Sequence, residues 1–166
     1  MSEDRQNVKQ NDKQSDISIE ISDQQEEYKE WLAFAKTDYD SAEYLSGAPF
    51  YPRPLNVICY HCQQAAEKAA KALIVHFGSQ GGMPKLHDIQ FLLTQVQNLV
   101  RDRKGIEIDE SLMDIAESLS KYGVAPRYPN EIEVDEYQTR KALTDAATFL
   151  TWINKTINIP DITQEG

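Results

Sequence analysis

The sequence predicts an all-α protein, an up-and-down bundle of four to five helices behind a polar N-terminal tail. Three observations predict it. Apolar residues recur at three- and four-residue steps in five segments between residues 26 and 157. No stretch alternates with period two for long enough to build a sheet. Glycine and proline cluster between the periodic segments, as at Gly47, Pro49, Pro52 and Pro54, and again at Gly78, Gly81, Gly82 and Pro84. A length of 166 residues fits one domain with a tail at each end, 1–27 and 158–166, around a bundle at 28–157.

Residues 1–27 hold eight acidic and three basic side chains and only one apolar cluster, Ile17-Ser18-Ile19-Glu20-Ile21. That composition reads as a disordered, solubilising tail. The first helix is expected from about Glu26 to Leu45, with Trp31, Phe34, Ala35, Asp38, Ala42 and Leu45 on one stripe. The second runs from about Arg53 to Phe77, with Pro54 in its first turn, where a missing N–H costs little. Leu55, Ile58, Cys59, Cys62, Leu73 and Phe77 share its apolar face with Ala65, Ala66, Ala69 and Ala72, and Ala70 brings the alanines between 65 and 72 to five. Alanine favours the helix and lets neighbours approach closely, so this is the central helix. The third, from Asp88 to about Val100, turns Ile89, Leu92, Leu93, Val96 and Val100 inward. The fourth starts at Asp109 as N-cap, buries Leu112, Ile115, Ala116 and Leu119, and stops at Gly123. The fifth runs from near Val134 to about Ile157 on a stripe of Tyr137, Leu143, Ala146, Ala147, Leu150 and Ile153.

Seventeen basic against 27 acidic residues give a net charge of −10. That excludes a general DNA or RNA coat, which needs a broad basic face. No apolar run is long enough for a membrane span, no secretory leader is visible, and two cysteines make no disulfide framework, so a cytoplasmic setting is expected. The charge is uneven. Residues 53–104 hold seven basic and three acidic side chains, whereas 107–117 hold five acids and no base. A positive patch on an acidic protein suits a small anion or an acidic partner; the plain alternative is solvated helix faces with internal pairs such as Glu67–Lys71.

Cys59-Tyr60-His61-Cys62 spells Cys-x-x-Cys but lies inside an alanine-rich helix with no strand before it. Both cysteines are read as small core residues, and no metal or other cofactor is expected. His61, Gln64, Lys68 and Lys71 follow at three- and four-residue steps and line one polar strip. An imidazole, an amide and two ammonium groups suit a phosphate or a nucleobase edge; alternatively they bond to loops and water. His87 either caps the third helix or meets an anion at its N-terminus. In Ala125-Pro126-Arg127-Tyr128-Pro129, two prolines stiffen the segment that carries Arg127. Its guanidinium either holds phosphate or pairs with an acid such as Glu43 or Glu67.

The run from Cys59 through Gln63-Gln64-Ala65-Ala66-Glu67-Lys68-Ala69-Ala70-Lys71 to Leu73 resembles the central signature of HEPN domains. So do Lys85-Leu86-His87-Asp88-Ile89 and Ala125-Pro126-Arg127-Tyr128-Pro129 before a last helix, and the likeness covers about residues 28–157. The resemblance implies a helical bundle, often a homodimer, in a prokaryotic setting beside a minimal nucleotidyltransferase, frequently as a toxin–antitoxin-like pair. It also implies nucleotide binding and, in a large subset, metal-independent RNase activity from Arg followed after four to six residues by His on a late helix. This sequence departs from that motif: Arg140 has no histidine after it, and seven residues separate Arg53 from His61. The leading expectation is therefore a non-catalytic module that binds a nucleotide, a nucleotidyltransferase partner, or both. Its site would comprise His61, Gln64, Lys68, Lys71, His87 and Arg127, with Tyr128 stacking on a base. The alternatives are an RNase with a displaced His61–arginine pair and a purely structural dimer or interaction module.

Overall fold

A computed structural model describes residues 3–49, 51–78, 83–123 and 133–162. They form five helices: α1 (Glu3–Gly47), α2 (Leu55–Phe77), α3 (Ile89–Lys104), α4 (Glu110–Ser120) and α5 (Glu136–Asn158). A single 3₁₀ turn, Lys121–Gly123, follows α4. Among the described residues there is no strand. α1 begins well before Glu26; neither glycine nor proline interrupts the chain between Glu3 and Ser46. Among the α1 residues whose side chains are described, Tyr28 is the first packed on the core.

Helix boundaries follow cap chemistry. Asp88 caps α3 and accepts from the Phe91 N–H at 3.0 Å. Asp109 caps α4 and accepts from Leu112 N–H at 2.9 Å. Asp135 and Gln138 form a reciprocal capping box on α5. Pro54 stands one residue earlier than expected, as the N-cap of α2. α2 stops at Gly78, whose left-handed backbone (φ 61°) satisfies the carbonyls of Ile74 and Val75. α4 ends at Ser120 rather than Gly123. Gly123 closes the 3₁₀ turn, where a Cβ would meet the Gln63 amide at 3.2 Å.

α2 is the central helix, packing on α1, α3, α4 and α5. Its five alanines are buried, as are Cys59 and Cys62. Two inward stripes differ from expectation. On α1, Ala35 and Ala42 are buried with Tyr28, Leu32 and Tyr39 beside them, whereas Phe34 is 59% exposed. On α5 the core face is Thr139, Ala142, Ala146, Phe149, Ile153 and Thr156, and Tyr137 faces solvent. Both helices are apolar around more than one face, so periodicity left the buried side open by one position. Among the described residues no helix is long and apolar enough to cross a membrane.

Candidate functional site

The polar strip of α2 faces α1, and its side chains meet two carboxylates, one on α1 and one on α2 itself. Asp38, on the buried side of α1, takes two of them. Its Oδ1 lies 2.9 Å from Nδ1 of His61, and its Oδ2 accepts from the Lys68 ammonium. The Asp38 side chain is only 13% exposed. Further along α2, Glu67 does the same for the other pair. Its Oε1 accepts from Lys71 Nζ at 2.7 Å, and its two oxygens lie 3.0 and 3.1 Å from His87 Nδ1. Gln63, fully buried, donates to Glu67 Oε2 at 2.8 Å and accepts from Gln64 Nε2 at 2.7 Å. His87 sits just before the α3 cap, with its side chain 66% exposed, and takes no part in capping.

His61, Gln64, Lys68, Lys71 and His87 are thus brought together, as two lysine–carboxylate–histidine groups with Gln63 and Gln64 between them. Arg127 and Tyr128 lie outside the described residues. Both histidines are held through Nδ1, and among the described residues each Nε2 is left available to a ligand. The two lysines and two carboxylates cancel in charge, so the strip is a compensated network rather than a bare cationic patch. Burial raises the Glu67 pKa, but hydrogen bonds from Lys71 and Gln63, the Lys71 charge and His87 outweigh it, and the net shift is downward.

An open groove of about 490 Å³ adjoins the strip, lined by Glu27, Glu30, Trp31, Phe34 and Lys68. Lys71 Nζ lies 5.4 Å from the Trp31 ring centroid, so this indole touches the strip as well. Asp38, Glu67, Gln63 and Trp31 are absent from the site expected from sequence, where Glu67 figures only as an internal partner of Lys71 or of Arg127. The signals are present all the same: Asp38 is the one charged residue on an otherwise apolar stripe, and Gln63 interrupts the apolar face of α2.

Other chemistry suggested by the sequence takes an ordinary structural form. Cys59 and Cys62 are buried, and desolvation pushes both thiols up, away from the reactive thiolate. Among the described residues no group of three or more His, Cys, Asp or Glu side chains is placed to hold a metal ion. Arg53 pairs with Glu136 of α5 at 3.5 Å, and no arginine contacts His61 among the described residues.

The family model of the HEPN domain matches residues 28–156. Two solved structures share the fold. One is TT1696 from Thermus thermophilus, 24% identical, with a TM-score of 0.59 over 78% of this chain and 97% of that one. The other is ST0689, an archaeal HEPN homologue, 22% identical, with a TM-score of 0.57 over 79% of this chain and 98% of that one. No curated protein matches the chain.

Proposed function

The chain belongs to the HEPN domain family, and on that premise we propose that it is a non-catalytic module that binds a nucleotide on the α1–α2 face. One observation carries this reading: Lys68 belongs both to the network that orients His61 and to the wall of the aromatic groove. A base would lie against Trp31 and Phe34, taking the stacking role that the sequence suggested for Tyr128. A phosphate would draw Lys68 from Asp38 and, since Nδ1 already donates to Asp38, would accept from Nε2 of the doubly protonated His61 imidazole. Lys71, His87 and Gln64 form the adjoining part of the same site. Its setting would be a dimer in a prokaryotic cytoplasm, beside a minimal nucleotidyltransferase in a toxin–antitoxin-like pair. The missing histidine after Arg140 favours a binding role over RNA cleavage.

Titration calorimetry with ATP and GTP tests the ligand. Binding should be measurable at millimolar nucleotide and should weaken about tenfold in Lys68→Gln, the order of one charged hydrogen bond. Absence of heat from the folded protein removes the nucleotide from this reading.

The RNase alternative has one point in its favour: a histidine fixed through Nδ1 by a carboxylate is the arrangement of a general base. It predicts RNA degradation by the wild type that disappears in His61→Ala. Equal degradation by both, or none by either, rejects it.

A further inference from the structure

A second group of cations gathers at the C-terminal end of α3, and it is already occupied by the chain itself. Arg103 donates from Nε and Nη2 to Asp161 Oδ2 at 2.9 and 2.7 Å. Lys104, whose side chain is only 4% exposed, reaches Asp161 Oδ1 at 2.7 Å and donates to the Ile159 carbonyl at 2.5 Å. The Ile162 N–H donates to the Arg103 carbonyl at 2.7 Å. Ile162 also lies over Gly105, where a Cβ would come within 2.7 Å of Ile162 Cδ1. Beneath the two cations lies Phe77, its ring centroid 4.9 Å from the Arg103 guanidinium and 5.9 Å from Lys104 Nζ.

These contacts recognise an extended peptide in three independent ways. A carboxylate is held by a guanidinium fork and an ammonium, a backbone N–H meets a free helix-terminal carbonyl, and an aliphatic side chain rests on a glycine. All of them fall within residues 159–162. That segment is itself half exposed: the Asp161 side chain at 45% and Ile162 at 54%. The asymmetry is informative. The receptor ammonium is buried and needs an anion, because a buried charge without a partner is costly. Among the described residues Asp161 is the only carboxylate it has. The ligand strand lies on the surface, where a competitor can reach it.

We propose that this corner is a binding site for an acidic peptide, closed in the free protein by the chain's own segment 159–162. The segment that takes its place comes from a partner protein and presents an aspartate followed by an aliphatic residue. Arg103 and Lys104 hold the incoming carboxylate, Gly105 receives the aliphatic side chain, and the chain's own strap is released to solvent.

The test uses the full chain and a fluorescein-labelled peptide with the sequence of residues 157–164. In Asp161→Asn the internal strap is weakened, so the peptide should bind at least about tenfold more tightly than to the wild type, whose tethered strap competes at high effective concentration. A peptide with lysine in place of its aspartate should not bind, and Arg103→Gln added to Asp161→Asn should abolish binding. Excess wild-type peptide should accelerate hydrogen exchange of the Ile162 amide in the wild-type protein, a readout that survives if Asp161→Asn fails to fold. Equal affinity of the two proteins, indifference to the peptide's aspartate, or unchanged Ile162 exchange at saturating peptide would each overturn the proposal and leave the strap a fixed clamp.

Discussion

Glu67 organises more of the candidate site than any of the cations around it. It is almost fully buried and is held in the charged form by Lys71, Gln63 and His87. A carboxyl whose folded pKa lies below its unfolded one stabilises the fold above the unfolded value, and loses that contribution as pH falls through the folded value. Glu67→Gln removes the charge and leaves Lys71 facing a neutral amide in a nearly buried place. It should cost about 3 kcal/mol in urea denaturation at pH 7, with a smaller difference from wild type in acid. His76 has the same sign by another route. Burial first, then the charges of Lys104 and Arg103, depress its pKa, and its Nε2 is buried without a partner among the described residues. The unfolded chain therefore takes up a proton near the usual histidine pKa that the folded one resists, and stability declines as pH drops from about 7 to about 5. His76→Phe should flatten that slope and raise stability at about pH 5 by about 1–2 kcal/mol; a slope unchanged in the thermal melts would contradict this. Half of the site was legible in the sequence for a simple reason. His61, Gln64, Lys68 and Lys71 share one helix, and helical spacing fixes their relative positions. Asp38 comes from another helix, and nothing in local spacing says which helix will face it.

The helices show why some elements were readable and others only roughly so. α3 and α4 each carry an aspartate cap and one narrow apolar stripe, and both start where the sequence places them; α3 runs on to Lys104 instead of about Val100, and α4 stops at Ser120 instead of Gly123. α5 offers Leu143, Ala147 and Leu150 beside Ala146, Phe149 and Ile153, all apolar, because it packs on α1, α2 and α4 at once. Its buried face is therefore ambiguous until its neighbours are known. Phe149, outside the stripe expected from periodicity, is fully buried. Phe149→Ala should cost about 3–5 kcal/mol by chemical denaturation. The α2 alanines have the opposite sensitivity. Ala69→Leu keeps helix propensity but adds volume where there is no space, so a loss of about 1–3 kcal/mol is expected despite the more apolar side chain. If Ala69→Leu melted at the wild-type temperature, close approach on that face would not be what the alanines provide.

Across the whole molecule, charge is arranged by pairing more than by patches. Much of the positive charge of residues 53–104 gathers in two places, each answered by a carboxylate from elsewhere in the chain: Asp38 on α1 for the α2 strip, and Asp161 after α5 for the α3 corner; Arg53 is answered separately by Glu136 of α5. Composition could reveal the excess but not these distant partners, which the bundle topology supplies. A ligand on the α2 strip must therefore compete with an internal carboxylate, and binding should weaken with added salt. The direct test of the account is side-chain NMR of the three histidines during titration with ATP. Among the described residues His61 and His87 keep a free Nε2 on the strip, whereas His76 is packed between Tyr28 and Phe77 and serves as an internal control. The account predicts saturable shifts of the His61 and His87 Nε2 resonances with His76 unmoved. Still resonances at His61 and His87 throughout a millimolar titration, or shifts confined to His76, would contradict it.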